Sequence, residues 1–365
     1  MKKVFFVIST LNSGGIENYL LRFLKHYDGK FEIYIICKSS CEGELKKSYM
    51  ELKNIRFYKG SLSYLNPIPF LLFIRYINSI EPDAICDFTG NFAGIPLFLA
   101  KLARVPTRIA FYRGSTNRFK EKLFNKLYNN TMKRLVEYSA TSILSNSQAA
   151  FQYFFKDTYS EDNRFHVIYN GINSKEFLRN KENLRVSLNI SSNKFVVAHV
   201  GRFDPSKNHT TIIRVIQKVL SIDDSFVFIL CGKNVYKELV DFVENNNLYE
   251  NVKLLGYTNE VIKVLNTADC FYFPSITEGQ PNALIEALIK GLPFVTSNIA
   301  PILEVIPFEF RSQTVDANDI YQATHKLLEI KNSPALQTDL NISEWAIKKF
   351  DSDKLFTMFY NEISK

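Results

Sequence analysis

The sequence has one tryptophan, four methionines and only 14 glycines in 365 residues. It carries no low-complexity tract and no short internal repeat, which excludes collagen-like, solenoid and disordered chains. Its five cysteines are an odd set and do not suit a disulfide scaffold. Cys37, Cys86, Cys231 and Cys270 lie in or beside apolar runs and read as buried thiols of a reducing compartment. Cys37 and Cys41 are near each other, but no histidine or second cysteine pair accompanies them at zinc spacing, so no metal site is expected. No apolar run reaches the ~20 residues needed to cross a bilayer. Phe70–Ile74 is stopped by Arg75, and Phe92–Ala100 by Lys101. The apolar run Val4–Ile8 after Met1-Lys2-Lys3 is too short for a signal peptide. The expected location is cytoplasmic, peripheral on the inner membrane face at most.

What is present describes a folded chain of about two domains, at roughly 100–200 residues each. Residues of the set AVILMFWYC make up 46% and charged residues 22%, both ordinary for globular proteins. The net charge of +8 points to an anionic partner: nucleotide, phospholipid surface or nucleic acid. Short β-rich runs alternate with helical periods, the pattern of parallel sheets covered by helices. The first series of strands is Val4–Ser9, Phe31–Cys37, Ile55–Phe57, Ala84–Asp87, Arg108–Tyr112, Ser142–Ser145 and Phe165–Ile168. A second comprises Phe195–Val200, Phe226–Leu230, Val252–Leu255, Cys270–Phe273 and Phe294–Thr296. The expected fold class is α/β, with two Rossmann-like doubly wound domains facing across a cleft: residues 1–172 and 173–345, with 346–365 as a C-terminal helix able to cross back to the first. Open α/β sheets bind ligands at the carboxyl ends of their strands, so function belongs there.

Three motifs fall at such ends. After the first strand, Gly14-Gly15 precedes a helix of clear 3.6 period (Ile16, Tyr19, Leu20, Phe23, Leu24, Tyr27), where backbone N–H groups favour an anion. The turn is not Gly-x-Gly-x-x-Gly and no Walker lysine follows, so neither dinucleotide nor P-loop fingerprint is met; an ordinary strand-to-helix turn is the alternative. In the second half, Gly201-Arg202-Phe203-Asp204-Pro205-Ser206-Lys207-Asn208 sets two cations on one loop, able to clamp a diphosphate or simply to be solvated. The most informative stretch is Glu278-Gly279-Gln280-Pro281-Asn282 through Glu286. Pro281 suits a first helical turn, so Gly279 and Gln280 can offer N–H groups to a phosphate, and two carboxylates can face one cleft, each able to accept hydrogen bonds from sugar hydroxyls. An N-terminal acid followed by a solvated helix glutamate is the simpler alternative.

Glu278 and Glu286 separated by seven residues, Gly279, Gly201-Arg202 with Lys207-Asn208, Gly14-Gly15 with Glu17, and Asn170-Gly171-Ile172 together resemble the retaining glycosyltransferases of family 4, which have the GT-B fold. The likeness extends over nearly the whole chain and is nearest to bacterial enzymes that build capsule, exopolysaccharide or O-antigen. It implies that Arg202 and Lys207 neutralise a donor diphosphate and that Glu278 holds the donor sugar. Glu286 would bind the ribose, and Gly15 would offer an N–H. Where relatives carry a histidine after the middle strand of the first domain, this chain has Phe111-Tyr112-Arg113-Gly114-Ser115, so either Arg113 is its substitute or the acceptor chemistry differs. The implied activity is transfer from a nucleoside-diphosphate sugar, a co-substrate, to a glycan or lipid-linked acceptor with retention, and with no cofactor or metal. A nucleotide-sugar epimerase of the same fold and a non-catalytic GT-B partner subunit are the alternatives.

The excess charge is uneven. From 101 to 134 the cations are Lys101, Arg104, Arg108, Arg113, Arg118, Lys120, Lys122, Lys126, Lys133 and Arg134, against Glu121 alone. Phe119, Leu123, Phe124, Leu127, Tyr128 and Met132 are interleaved at partly helical spacing, which suits an anionic membrane surface as well as an ordinary core-facing helix. No nucleic-acid-binding module accompanies the charge, so nucleic acid is not expected.

Overall fold

A computed structural model describes residues 1–59, 68–116, 123–156, 158–333 and 340–365. The chain divides into two compact units, Met1–Gly171 with Asp353–Lys365, and Ile172–Ser352.

The first unit is built on seven parallel strands: β1 (Lys2–Ile8), β2 (Phe31–Cys37), β3 (Ile55–Lys59), β4 (Ala84–Asp87), β5 (Thr107–Tyr112), β6 (Ser142–Ser145) and β7 (Phe165–Val167), in the order β3-β2-β1-β4-β5-β6-β7. The run Val4–Ile8 has no polar side because successive side chains enter different cores: Val4, Phe6 and Ile8 pack on one face, Phe5 and Val7 on the other. Such two-sided burial is what makes parallel strands read as continuous apolar runs. The helix Gly15–His26 buries Tyr19, Leu20, Phe23 and Leu24 on the first face. The terminal helix Ser352–Ser364 joins them, with Phe359 4.6 Å from Phe23 between ring centroids and Ser142 donating to the Glu362 carboxylate at 2.7 Å.

The second unit has six parallel strands: β8 (Phe195–Val200), β9 (Phe226–Cys231), β10 (Val252–Gly256), β11 (Cys270–Phe273), β12 (Phe294–Ser297) and β13 (Thr314–Val315), in the order β10-β9-β8-β11-β12-β13. The two-residue β13 is too short to leave a periodic signal. The expected domain limit at 345 falls inside the helix Leu340–Lys349. Ala346 in that helix and Phe350 just after it are fully buried, and the Ile172 N–H donates to Phe350 O at 2.9 Å, so the second unit runs on to Ser352.

Both sheets are doubly wound Rossmann-like arrangements with the strand order reversing beside the first strand of each. In the second unit that switch point brings the loop after β8 next to the loop after β11, where such sheets take ligands. Among the described residues, no helix is long and apolar enough to cross a membrane.

Candidate active site

The loop after β8 is shaped by its own short-range bonds. The Asp204 carboxylate accepts from the Ser206 N–H at 3.0 Å and its hydroxyl at 2.6 Å, capping a short 3-10 turn over Pro205–Lys207. Asn208 then adopts φ +58°, a left-handed conformation that asparagine tolerates better than most residues. Its buried amide donates to Ala317 O at 2.8 Å and to Pro274 O at 3.3 Å, and its oxygen accepts from Thr211 at 2.9 Å. The Ile276 N–H donates to Ser206 O at 2.8 Å. The β8 and β11 loops are therefore bonded to each other through backbone and amide.

Gly232, following β9, completes the frame. It has φ +150°, and a Cβ there would sit 2.1 Å from Gly201 O, so no larger residue lets the β9 loop back against Gly201.

On this frame the Lys207 ammonium meets the Glu278 carboxylate, with side-chain exposures of 18% and 10%. The Lys207 Nζ also lies 4.8 Å from the centre of the Phe273 ring. Arg202 is freer, 60% exposed, with its Nε 3.5 Å from Asp204. Pro281 caps rather than begins the helix Asn282–Ile289, placing Glu286 as its fifth residue. Gly279 and Asn282 are half-buried beside the buried Gln280. Glu286 is half-buried near the end of β9, where burial and then the Glu286 charge push the Cys231 thiol up to about 12. The structure thus brings Lys207 and Glu278 into contact.

Two histidines under this loop escaped the sequence analysis. His199, in β8, has its Nδ1 3.0 Å from Tyr272 O and stacks edge-to-face on His209 with ring centroids 5.1 Å apart. Burial, then the charge of His209, holds His199 well below 6.5; burial, then Lys207, holds His209 at about 4. A histidine inside the apolar run Phe-Val-Val-Ala-His-Val was the available signal.

In the first unit, Gly14 caps the helix Gly15–His26 with extended backbone. The Glu17 carboxylate folds back over it, 2.5 Å from where a Gly14 Cβ would stand, while the space beside Gly15 is open. Arg113 follows β5 directly, with its guanidinium 3.8 Å from the centre of the Tyr19 ring and 4.8 Å from that of Phe111. Among the described residues no group of three or more metal-ligating side chains gathers.

The family model for glycosyl transferases group 1 matches residues 180–348, and that for Glycosyltransferase Family 4 matches residues 13–176. The putative glycosyltransferase EpsF of Bacillus subtilis is 25% identical over 81% of this chain and 79% of its own length. The capsular polysaccharide biosynthesis glycosyltransferase CapH of Staphylococcus aureus is 26% identical over 84% of each. The UDP-Gal:alpha-D-GlcNAc-diphosphoundecaprenol alpha-1,3-galactosyltransferase of Escherichia coli is 25% identical over 84% of this chain and 82% of its own. In fold, the chain is similar to Anabaena HepE in complex with UDP and glucose, at a TM-score of 0.82 and 18% identity over the whole of both chains. With one glycosyltransferase model over each doubly wound unit, and relatives that build bacterial capsule and lipid-linked glycans, the chain belongs to the family 4 glycosyltransferases of GT-B fold.

Proposed function

We propose that this glycosyltransferase moves a sugar from a nucleoside-diphosphate sugar to a hydroxyl of a lipid-linked surface glycan, with retention and without a metal. The observation that carries the reading is the Lys207–Glu278 pair at the switch point of the second sheet, a cation and a carboxylate fixed side by side where a sugar diphosphate needs both. Breaking the C1–O bond leaves electrons on the diphosphate and positive character on the sugar. Arg202 and Lys207 stabilise the first, together with the N–H groups of Gly279 and Gln280. Glu278 accepts hydrogen bonds from the sugar and Glu286 from the ribose, and Pro281 caps the helix, begun by Asn282, that holds Glu286. In the first unit, taken by itself, Gly14, Gly15 and Arg113 are the candidate substrate-binding residues. The acceptor oxygen forms the new bond to C1 on the same face, and its proton passes to the departing phosphate.

The acceptor class is supported by the diphosphoundecaprenol-linked substrate in the name of the Escherichia coli relative, and the donor class by the UDP bound in the HepE complex. The test is a screen of UDP-, GDP- and dTDP-sugars with a synthetic prenyl-diphosphate-linked sugar. Release of nucleoside diphosphate with a one-sugar mass gain in the acceptor, retained at the anomeric carbon by NMR, supports the reading. A changed sugar nucleotide without released diphosphate makes the protein an epimerase instead.

A further inference from the structure

In the first unit two arginines, Arg113 and Arg22, hold buried guanidinium nitrogens that have no hydrogen-bond partner among the described residues. The Arg113 guanidinium lies on the Tyr19 and Phe111 rings, and its Nε and Nη1 are closed to solvent with no hydrogen-bond partner among the described residues. Arg22, one turn beyond Tyr19 on the helix Gly15–His26, leaves its Nε in the same condition. The two charges are near enough to act on each other: burial and, against it, Tyr19, then the repulsion of Arg22, bring Arg113 down to about 10. Asp87, at the end of the neighbouring β4, does not relieve them, because it is committed to Lys38 at 2.8 Å and to Thr89 at 2.6 Å.

Like charges drawn together away from water are unfavourable unless an opposite charge joins them. A guanidinium packed against two aromatic rings is already oriented, and its donors match a phosphate in pairs. We propose that Arg113 and Arg22 form a phosphate subsite that takes the diphosphate of the lipid-linked acceptor. The acceptor's identity rests on the function proposed above, while the subsite rests on these two side chains.

The binding test uses the full chain carrying Arg202→Ala and Lys207→Ala, so that the cations of the second unit do not contribute. Calorimetric titration with farnesyl diphosphate and with inorganic pyrophosphate should show binding, and farnesol should show none. Arg22→Gln and Arg113→Gln should each weaken the diphosphates by about 10-fold or more, and Arg113→Lys by less. Arg22 carries the test if Arg113→Gln melts. In the otherwise native chain, Arg22→Gln should raise KM for the acceptor and leave nucleoside diphosphate affinity unchanged. Absence of diphosphate binding in the background chain overturns the proposal, as does affinity indifferent to Arg22 or farnesol binding as well as farnesyl diphosphate. The titration needs no turnover, so its failure is distinct from a failure to find transfer.

Discussion

Lys207 and Glu278 are each other's counter-ion, although 71 residues separate them in sequence. One comes from the loop after β8 and the other from the loop after β11, and the bond from Ile276 N to Ser206 O holds those loops in step. A diphosphate arriving at Lys207 therefore competes with a carboxylate already in place. Glu278→Gln should tighten nucleoside diphosphate binding roughly five-fold, equivalent to about 1 kcal/mol, while lowering turnover because the sugar loses an acceptor of its hydroxyl hydrogens. Glu286→Ala should do the reverse, raising donor KM about 10-fold with kcat largely kept. Calorimetry and steady-state kinetics on the two variants decide this. Full activity in both would remove them from the site.

The cations should matter to the chemical step more than to folding. Arg202 is largely exposed, so its loss disturbs little packing. Arg202→Ala or Lys207→Ala should cut transfer by on the order of 100-fold, as when a preorganised charge on a leaving group is removed. Activity should persist in EDTA. Loss of activity in chelator, restored by magnesium or manganese, would contradict the metal-free mechanism.

Much of the fold was legible because a parallel strand buried on both faces leaves an unbroken apolar run, as Val4–Ile8 and Phe226–Leu230 do. The strand order was not, since pairing of β8 with β11 leaves no trace in the spacing of their residues. For the same reason Lys207 and Glu278 were visible as candidates while their contact was not. Arg113 was noticed as a substitution within a motif, but its lodging against Tyr19 depends on where the helix Gly15–His26 packs. His199 stood out only as a polar residue in an apolar strand, and nothing in the spacing shows that it meets His209, the first residue of the helix His209–Leu220.

The buried histidines predict acid sensitivity. His209 is held at about 4 against an ordinary 6.5, so as pH falls through 6.5 the unfolded chain takes up a proton that the folded chain refuses. Folding stability should therefore decline from pH 6.5 towards 4, by on the order of 3 kcal/mol for His209 over the full window, with His199 acting in the same direction. His209→Gln should flatten the slope of unfolding free energy between pH 6.5 and 5, whatever its effect at neutral pH. Urea titrations at several pH values measure this, and an unchanged slope would show that the ring titrates normally.

The last prediction concerns the membrane. Arg118, Phe119, Lys120 and Lys122 lie outside the described residues, and the helix Leu123–Ser139 follows them. Its apolar side is taken up internally: Met132 and Val136 are buried and the Tyr128 ring lies 6.0 Å from that of Phe92. The outward side keeps Lys126 and Arg134 together with Leu127 at 67% and Tyr138 at 62% exposure. The helix Gly94–Leu102 packs between this helix and Ile68–Ile80, which exposes Ile68, Leu71 and Leu72. Cations interspersed with exposed apolar side chains suit the interface of an anionic leaflet, where each Lys or Arg near the surface contributes about 1 kcal/mol. Lys101 adds less, because it donates to Tyr138 O at 2.8 Å and sits over the Tyr138 ring. We therefore propose that this face of the first unit docks on the membrane that carries the acceptor. Reversal of Lys120, Lys122 and Lys126 to Glu changes the charge by six, enough by that figure to abolish co-sedimentation with phosphatidylglycerol vesicles. Donor hydrolysis should stay near the wild-type rate, because none of the three is among the residues proposed to hold the donor. A wild-type chain that ignores the vesicles at low salt, or a triple variant that still binds them fully, would place the docking surface elsewhere.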